Sequence, residues 1–390
     1  MQKEDYMMVN KNFNEHTRRL LLTANVSKEH IRKFYIPFIN LLQSRGWSVD
    51  VACRMDVPVP ECDNAYDLPC DRNPFRGGIG KSVKILKGIL RQNHYDLLVC
   101  STVVGSIIAR LAAAPFRKNG LKVIYLCHGM HFFPGASLSR WALGYPMEKF
   151  LASRTDVIIV TNDTDLDTAK RHLSIPVIEK SHSMGVNLNR FRDGFLSDSE
   201  RAEQRRKLGI APEDYVLAYV AEINDNKNQM MLLDAFEIVR KAVPNAKLIL
   251  IGPEHDGGAL QKFIAGKNLQ NEVLLLGWRS DVPMLLHLSD IYVASSKSEG
   301  LGLNLIEAMA CGLPVVASKN RGHAEIVKHD TNGFLIDLGD SEEMAAKVLL
   351  IHDNVELKQR LVAQAQEDIE KYGTESAIKE LVEMVVGHAQ

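Results

Sequence analysis

Two series of short apolar, β-branched runs alternate with helix-like stretches along this 390-residue chain, and that alternation restricts its fold more than any other feature. The first series is Arg19–Ala24, Ser48–Cys53, Leu97–Ser101, Lys122–Cys127 and Asp156–Thr161, with helical patterns such as Ile31–Arg45 and Lys81–Gln92 between them. The second is Tyr215–Val220, Lys247–Ile251, Glu272–Leu276, Ile291–Ala294 and Pro314–Ala317. Strands joined through helices return to the same end of a sheet, so they run parallel, and a parallel sheet needs cover on both faces. The pattern predicts an α/β fold of two doubly wound Rossmann-like lobes facing across a cleft. A polar, charged segment from Asp193 to Pro212 separates the two series. The expected organisation is a loose polar tail over 1–17, a first lobe over 18–190, a linker over 191–212, a second lobe over 213–372, and a closing helical segment over 373–390. Ligands of such sheets bind at the carboxyl ends of the strands.

Composition agrees with a globular chain. Net charge is −1 and 46% of residues are hydrophobic, enough for substantial cores. No run of eighteen apolar residues is present, and residues 1–16 lack the apolar core of a signal peptide. Cys53, Cys62, Cys70, Cys100, Cys127 and Cys311 form no CxxC pair, which suits buried thiols in a reducing cytoplasm rather than a metal site. Charge is uneven: 27 basic and 18 acidic residues up to position 195, then 20 and 30. The basic half points to an anionic surface or substrate, or to attraction between the lobes. No nucleic-acid partner is expected.

The chemistry concentrates in Ser298-Glu299-Gly300-Leu301-Gly302-Leu303-Asn304-Leu305-Ile306-Glu307-Ala308-Met309-Ala310. It follows a buried strand, passes through a glycine-broken loop and enters an apolar helix. Backbone N–H groups at a helix start suit a phosphate. Two carboxylates eight positions apart would repel a bare phosphate, but would accept hydrogen bonds from neutral hydroxyls on either side of one. A sugar joined to a ribose through a diphosphate has that order of groups. Glu307 has apolar neighbours on both sides, where an unpaired carboxylate is costly.

This segment resembles the E-x7-E motif of family-four retaining glycosyltransferases, which have the GT-B fold. The resemblance extends through Cys311-Gly312-Leu313-Pro314-Val315-Val316-Ala317-Ser318 to Gly322, Glu325 and Asn332-Gly333-Phe334. It implies that Glu299 contacts the transferred sugar, Glu307 holds the ribose hydroxyls, and amides of Gly300, Leu301, Gly302, Leu303 and Asn304 hold the diphosphate. It also implies that the last helix packs back on the first lobe. The loop Ala221-Glu222-Ile223-Asn224-Asp225-Asn226-Lys227 keeps a Lys at a strand end, where an ammonium neutralises a diphosphate, but Glu222 stands where the family has Arg. Gly252 opens another cleft loop. The family holds the nucleobase near Arg279, while Trp278 beside it reads as a core anchor ahead of a stacking platform.

In the first half, Lys122–Cys127 runs into His128-Gly129-Met130-His131. By itself His128 is equally a ligand contact or a satisfied core histidine; the family has a sugar-contacting His here. The run through Trp141, Tyr145, Glu148 and Lys149 resembles bacterial capsular and exopolysaccharide members. His30 and His131 are expected on the acceptor side. Asp163 and Asp165 read as helix-start carboxylates after Asn162, not as a metal site, and the family needs neither metal nor resident cofactor. Two basic, apolar stretches are candidates for an anionic membrane face: Arg72–Arg91 with Lys81, Lys84 and Lys87, and Phe132–Phe150 with Phe132, Phe133, Trp141, Tyr145, Arg140 and Lys149.

The expectation is thus a metal-independent retaining enzyme. It would move a hexose or N-acetylhexosamine from a UDP-sugar to a lipid-linked glycan at the inner face of the cytoplasmic membrane. The rivals are a GT-B-like sugar-nucleotide epimerase and an inactive nucleotide-sugar-binding partner of another transferase, the latter favoured by Glu222.

Overall fold

The computed structural model describes residues 18–71, 77–194 and 196–389. The tail expected over 1–17, Arg72 at the start of the first basic stretch, and Gln390 lie outside them.

Among the described residues, thirteen strands form two separate sheets. The first holds β1 (Arg19–Val26), β2 (Ser48–Arg54), β3 (Ala65–Asp67), β4 (Leu97–Ser101), β5 (Lys122–Cys127), β6 (Val157–Val160) and β7 (Val177–Lys180). Their order is β3-β2-β1-β4-β5-β6-β7. The second holds β8 (Tyr215–Val220), β9 (Ala246–Ile251), β10 (Val273–Leu275), β11 (Ile291–Ala294), β12 (Val315–Ser318) and β13 (Phe334–Ile336), in the order β10-β9-β8-β11-β12-β13. Every pairing in the two ladders is parallel. This is the predicted pair of doubly wound lobes. The sequence reading missed β3, β7 and β13. All three are short edge strands, and β3 and β7 have no fully buried residue, so no apolar run marks them.

The central strands are apolar on both faces because both are covered. Leu21, Leu98 and Val123 face one layer of the upstream core; Leu20, Leu22 and Ile124 face the other. The final helix, Thr374–Gly387, puts Ile378, Leu381, Val382 and Val385 into this second layer. The chain crosses between lobes twice, side by side. Val186 N–H donates to Tyr372 O (2.8 Å) and Thr374 N–H to Val186 O (2.9 Å).

In each sheet the winding reverses between the first strand and its neighbour across the middle, β1/β4 upstream and β8/β11 downstream. The crevices at those reversals are where a ligand fits. Upstream, the Asn25 side chain accepts from Thr102 Oγ1 (2.8 Å) and Gly105 N–H (2.7 Å), tying the ends of β1 and β4. Downstream, Asn304 Nδ2 donates to Val220 O (3.1 Å), tying the glycine loop to the end of β8.

Candidate active site

Lys227 and Glu299 come from loops after β8 and β11, and meet at the downstream crevice. Lys227 Nζ donates to Glu299 Oε1 at 2.6 Å, with both side chains mostly buried. The Lys227 backbone is held by hydroxyls: Ser295 Oγ donates to its carbonyl at 2.8 Å. Glu222 is exposed and meets Asn224 Nδ2 at 3.4 Å.

Glu307 lies in the helix Leu303–Ala310, partly buried. Loss of hydration raises its carboxyl to about 7, against the opposing pull of Arg190 and then Lys33. Lys33 belongs to the upstream lobe, so Glu307 faces the cleft. Arg190 also donates to Ser280 O (3.2 Å), which places it between Glu307 and the loop after β10. Neither cation stood out in the sequence. Each is an ordinary charged residue on a short helix until the lobes are brought together.

At the start of that helix, Leu303 N–H already donates to Leu301 O (3.0 Å) and Leu305 N–H to Gly302 O (2.9 Å). The diphosphate contact expected of Gly300 to Asn304 therefore narrows, because the Leu303 amide is engaged within the loop. Gly252 closes β9 and its N–H donates to Gly277 O (2.8 Å), joining two loops of the same edge. Arg279 is clasped by Asp281 at 2.7 and 2.5 Å, which leaves its side chain engaged within its own loop. Trp278 is not a core anchor: it is 74% exposed, in the loop that follows β10.

Across the cleft, His128 follows β5 with much of its surface open to solvent, and its ring lies between two hydroxyls. Tyr35 Oη lies 2.8 Å from Nε2 and Ser183 Oγ 3.3 Å from Nδ1. Loss of hydration among these neighbours, and then the charge of His30, lower this imidazole from its ordinary value. Tyr35 is buried and its phenol is pushed above its ordinary range, so it remains a hydroxyl. Tyr35 closes a stretch of π-helix, Ser27–Tyr35, which also carries His30 and Lys33. Wider turns of this kind recur at functional sites. A cavity of about 450 Å³ opens here, lined by His30, Tyr35, Thr102, His128, His131 and Leu303, among others. The lobes touch beside it: a Cβ on Gly300 would sit 1.8 Å from His128 O, so only glycine lets the two loops pass.

His128, His131, His30, Glu299, Lys227 and the 300–304 loop thus gather around one cleft, with Glu307 further along the helix. Gly252 and Arg279 stand on the same strand edge without side-chain contact to them.

Three ionisable groups make stability depend on pH. His323, fully buried in the helix Arg321–Ile326 and pushed to about 4, and His128, lowered in the same direction, bind fewer protons folded than unfolded. Their contribution is present above 6.5 and is lost as pH falls through the lowered values, by about 3 kcal/mol for His323, while solvent screening leaves the exposed His128 a smaller share. Glu307, raised to about 7, has the opposite sign: its contribution is full below its ordinary value and declines as pH rises through 7. From these groups the net expectation is destabilisation on acidification below pH 6.5, with a slope of less than one proton, because Glu307 offsets most of the His323 share. Denaturant midpoints from pH 4.5 to 6.5 test it. His323→Gln should flatten the slope, and an unchanged slope would contradict the assignment.

The second membrane candidate is corrected. Phe132 and Phe133 are buried, and Trp141 and Tyr145 pack on Phe132 with centroids 5.1 and 5.4 Å away. What the helix Leu138–Ala152 exposes is Leu138 (88%), Leu143 (71%) and Phe150 (56%), with Arg154 stacked 3.9 Å from the Phe150 ring. In the first candidate, Leu86, Ile89 and Leu90 are core residues, and Lys81 and Lys84 are the solvated side of an ordinary packed helix. No helix among the described residues is long and apolar enough to cross a membrane.

Two parallel-sheet lobes with their switch points facing across a cleft define the GT-B class. The crystal structure of Anabaena Alr3699/HepE in complex with UDP and glucose matches 95% of this chain and 100% of its own, with a TM-score of 0.76 at 21% identity. That of WaaG, a glycosyltransferase involved in lipopolysaccharide biosynthesis, matches at a TM-score of 0.74 with 14% identity, over 95% of this chain and 100% of its own. In sequence, the model of group 1 glycosyl transferases matches residues 200–368, and the glycosyl transferase 4-like model matches 19–162. EpsD of Bacillus subtilis (strain 168), named as a glycosyltransferase, is 34% identical over 370 residues, 94% of this chain and 96% of that one. The UDP-Gal:alpha-D-GlcNAc-diphosphoundecaprenol alpha-1,3-galactosyltransferase of Escherichia coli is 25% identical over 357 residues, 87% of each chain. The chain belongs to the glycosyltransferases, and its downstream lobe is a group 1 glycosyl transferase domain.

Proposed function

We propose that this glycosyltransferase moves a hexose or N-acetylhexosamine, with retention, from a UDP-sugar to a lipid-linked glycan during surface polysaccharide assembly. The observation that carries the reading is the Lys227–Glu299 pair at the downstream switch point, set across from the neutral His128. In this reading Glu299 accepts hydrogen bonds from the sugar hydroxyls and His128 contacts the sugar from the other side. Glu307 accepts from the ribose, and Lys227 turns from Glu299 toward the diphosphate as charge builds there. The bond from the anomeric carbon to the phosphate oxygen breaks, and the acceptor oxygen forms its bond on the same face. The acceptor proton passes to an oxygen of the departing UDP. Catalysis is then positioning and charge stabilisation. Lys227 and the helix start supply the positive charge, so neither metal nor cofactor is required.

His30 and His131 line the mouth that an acceptor would enter. A diphosphoundecaprenol-linked glycan of the kind named for the E. coli relative is an acceptor of the proposed class. Exposed Leu138, Leu143 and Phe150 beside Arg140, Lys149 and Arg154 would hold the upstream lobe at the anionic inner face of the cytoplasmic membrane.

A panel of UDP-sugars, assayed for UDP release with EDTA and with or without membrane lipid extract, tests this. Acceptor-dependent release from one UDP-sugar is expected. Interconversion of UDP-sugars without acceptor, or UDP binding with no turnover, would replace the reading by an epimerase or an inactive partner. In the same preparation, Leu143→Ser/Phe150→Ser should weaken binding to vesicles containing phosphatidylglycerol about tenfold or more, from the lost apolar area. Equal partitioning would remove the membrane assignment.

A further inference from the structure

We propose that Arg321 is a positioning residue: it locks the two lobes in register so that Glu299 and His128 face the same sugar. The proposal rests on the reading of those two as sugar contacts.

Arg321 belongs to the downstream lobe, after β12, and its guanidinium is almost wholly buried among groups of both lobes. Nε donates to the carbonyl of Glu299 itself (3.2 Å). Nη1 pairs with the buried Asp165 carboxylate, and Nη2 donates to Met130 O at 2.9 Å. The guanidinium stacks on Phe133, 3.8 Å from the ring centre. Asp165 accepts in turn from Met130 N–H (3.0 Å) and Asn162 Nδ2 (3.0 Å), and Asn162 Nδ2 also donates to Gly300 O (2.8 Å). A closed circuit results: Arg321 to Glu299, Gly300 to Asn162, Asn162 to Asp165, Asp165 back to Arg321. It reaches Met130, two residues after His128, on one side and Glu299 on the other.

The backbone is shaped for the same contact. A Cβ on Gly322 would stand 2.7 Å from Glu299 Cβ, and one on Gly129 3.3 Å from Gly300 Cα and 3.4 Å from Arg321 Nη2. Burial works against both charges, raising the Asp165 carboxyl and lowering the Arg321 guanidinium. Each is tolerable only with the other beside it, which holds only while the lobes are closed on the Val186–Thr374 crossing. The planar fork of Arg makes three directed contacts and a stack at once; a lysine ammonium cannot reproduce that geometry.

The test is Arg321→Lys. Amide hydrogen exchange should rise together in residues 128–131 and 298–302, with the rest of both lobes unchanged. With the UDP-sugar and acceptor identified, kcat should fall on the order of 10- to 100-fold, while donor KM and UDP affinity stay within about threefold. Unchanged exchange and kcat would overturn the proposal. So would a loss confined to UDP affinity, which would make Arg321 a donor-binding residue. If Arg321→Lys does not fold, Arg321→Met/Asp165→Leu removes both charges and keeps the packing; it should fold and show the same exchange and kcat defects, and wild-type behaviour would overturn the proposal. The exchange readout needs no substrate, so a wild-type protein that fails to bind UDP sinks the functional reading while exchange still decides the lock.

Discussion

Replacing Lys227 with alanine should lower turnover by roughly 10²- to 10³-fold at saturating donor, the usual cost of removing one preorganised charge from a developing anion. In the resting protein Lys227 neutralises Glu299 at 2.6 Å. Its loss therefore has two effects. The departing diphosphate loses a cation, and Glu299 is left mostly buried without a counter-charge, so its carboxylate is no longer held in place. The second effect predicts that Lys227→Ala/Glu299→Gln is far less than additive relative to the single variants. Single-turnover rates with the identified UDP-sugar decide it. A Lys227→Ala rate within threefold of wild type, or full additivity in the double variant, would contradict the assigned roles.

Glu307→Ala should weaken UDP binding by at least about 100-fold, since an ionised carboxylate accepting two ribose hydroxyls is worth about 3 kcal/mol or more. The fold should survive. Glu307→Gln at pH 8 should even be more stable than wild type. The folded carboxyl holds its proton up to about 7, so at pH 8 the wild type carries an unfavourable ionisation absent at low pH. This amounts to about 3 kcal/mol and a melting point a few degrees higher for the variant. Ribose hydroxyls donating to the carboxylate favour its ionised form, so UDP should bind more tightly as pH rises through 7 and release a proton. Calorimetry in two buffers of different ionisation enthalpy measures that release. Undiminished UDP affinity in Glu307→Ala would remove the ribose assignment; proton uptake on binding would reverse its sign.

The doubly wound class was legible because it is a property of local pattern. Central strands buried on both faces are apolar throughout, and helical stretches of opposite period separate them. Edge strands β3 and β7 escaped because their residues are only half covered, and nothing in Ala65–Asp67 or Val177–Lys180 distinguishes them from loop. The motif from Glu299 to Glu307 was legible for a related reason: a strand, a glycine loop and a helix start lie within one short stretch.

Contacts between distant segments were not legible. Tyr35 and Ser183 on His128, Arg190 and Lys33 near Glu307, and Arg321 on Asp165 each join residues far apart in the chain. Asp165 read as a helix-start carboxylate, and Asn162 does cap that helix through Asp165 N–H (2.8 Å). The same carboxylate also crosses the cleft to Arg321. The membrane-facing reading of Phe132 and Trp141 failed because an aromatic run looks the same whether it faces lipid or its own neighbours. Sequence alone determined two parallel sheets and a glycine loop leading into a helix start, because periodicity and glycine placement act within a few residues. Only the tertiary structure decided which carboxylate keeps its proton, which cation meets which acid, and how the lobes register, because hydration and charge pairing depend on what the folded chain brings within a few ångströms.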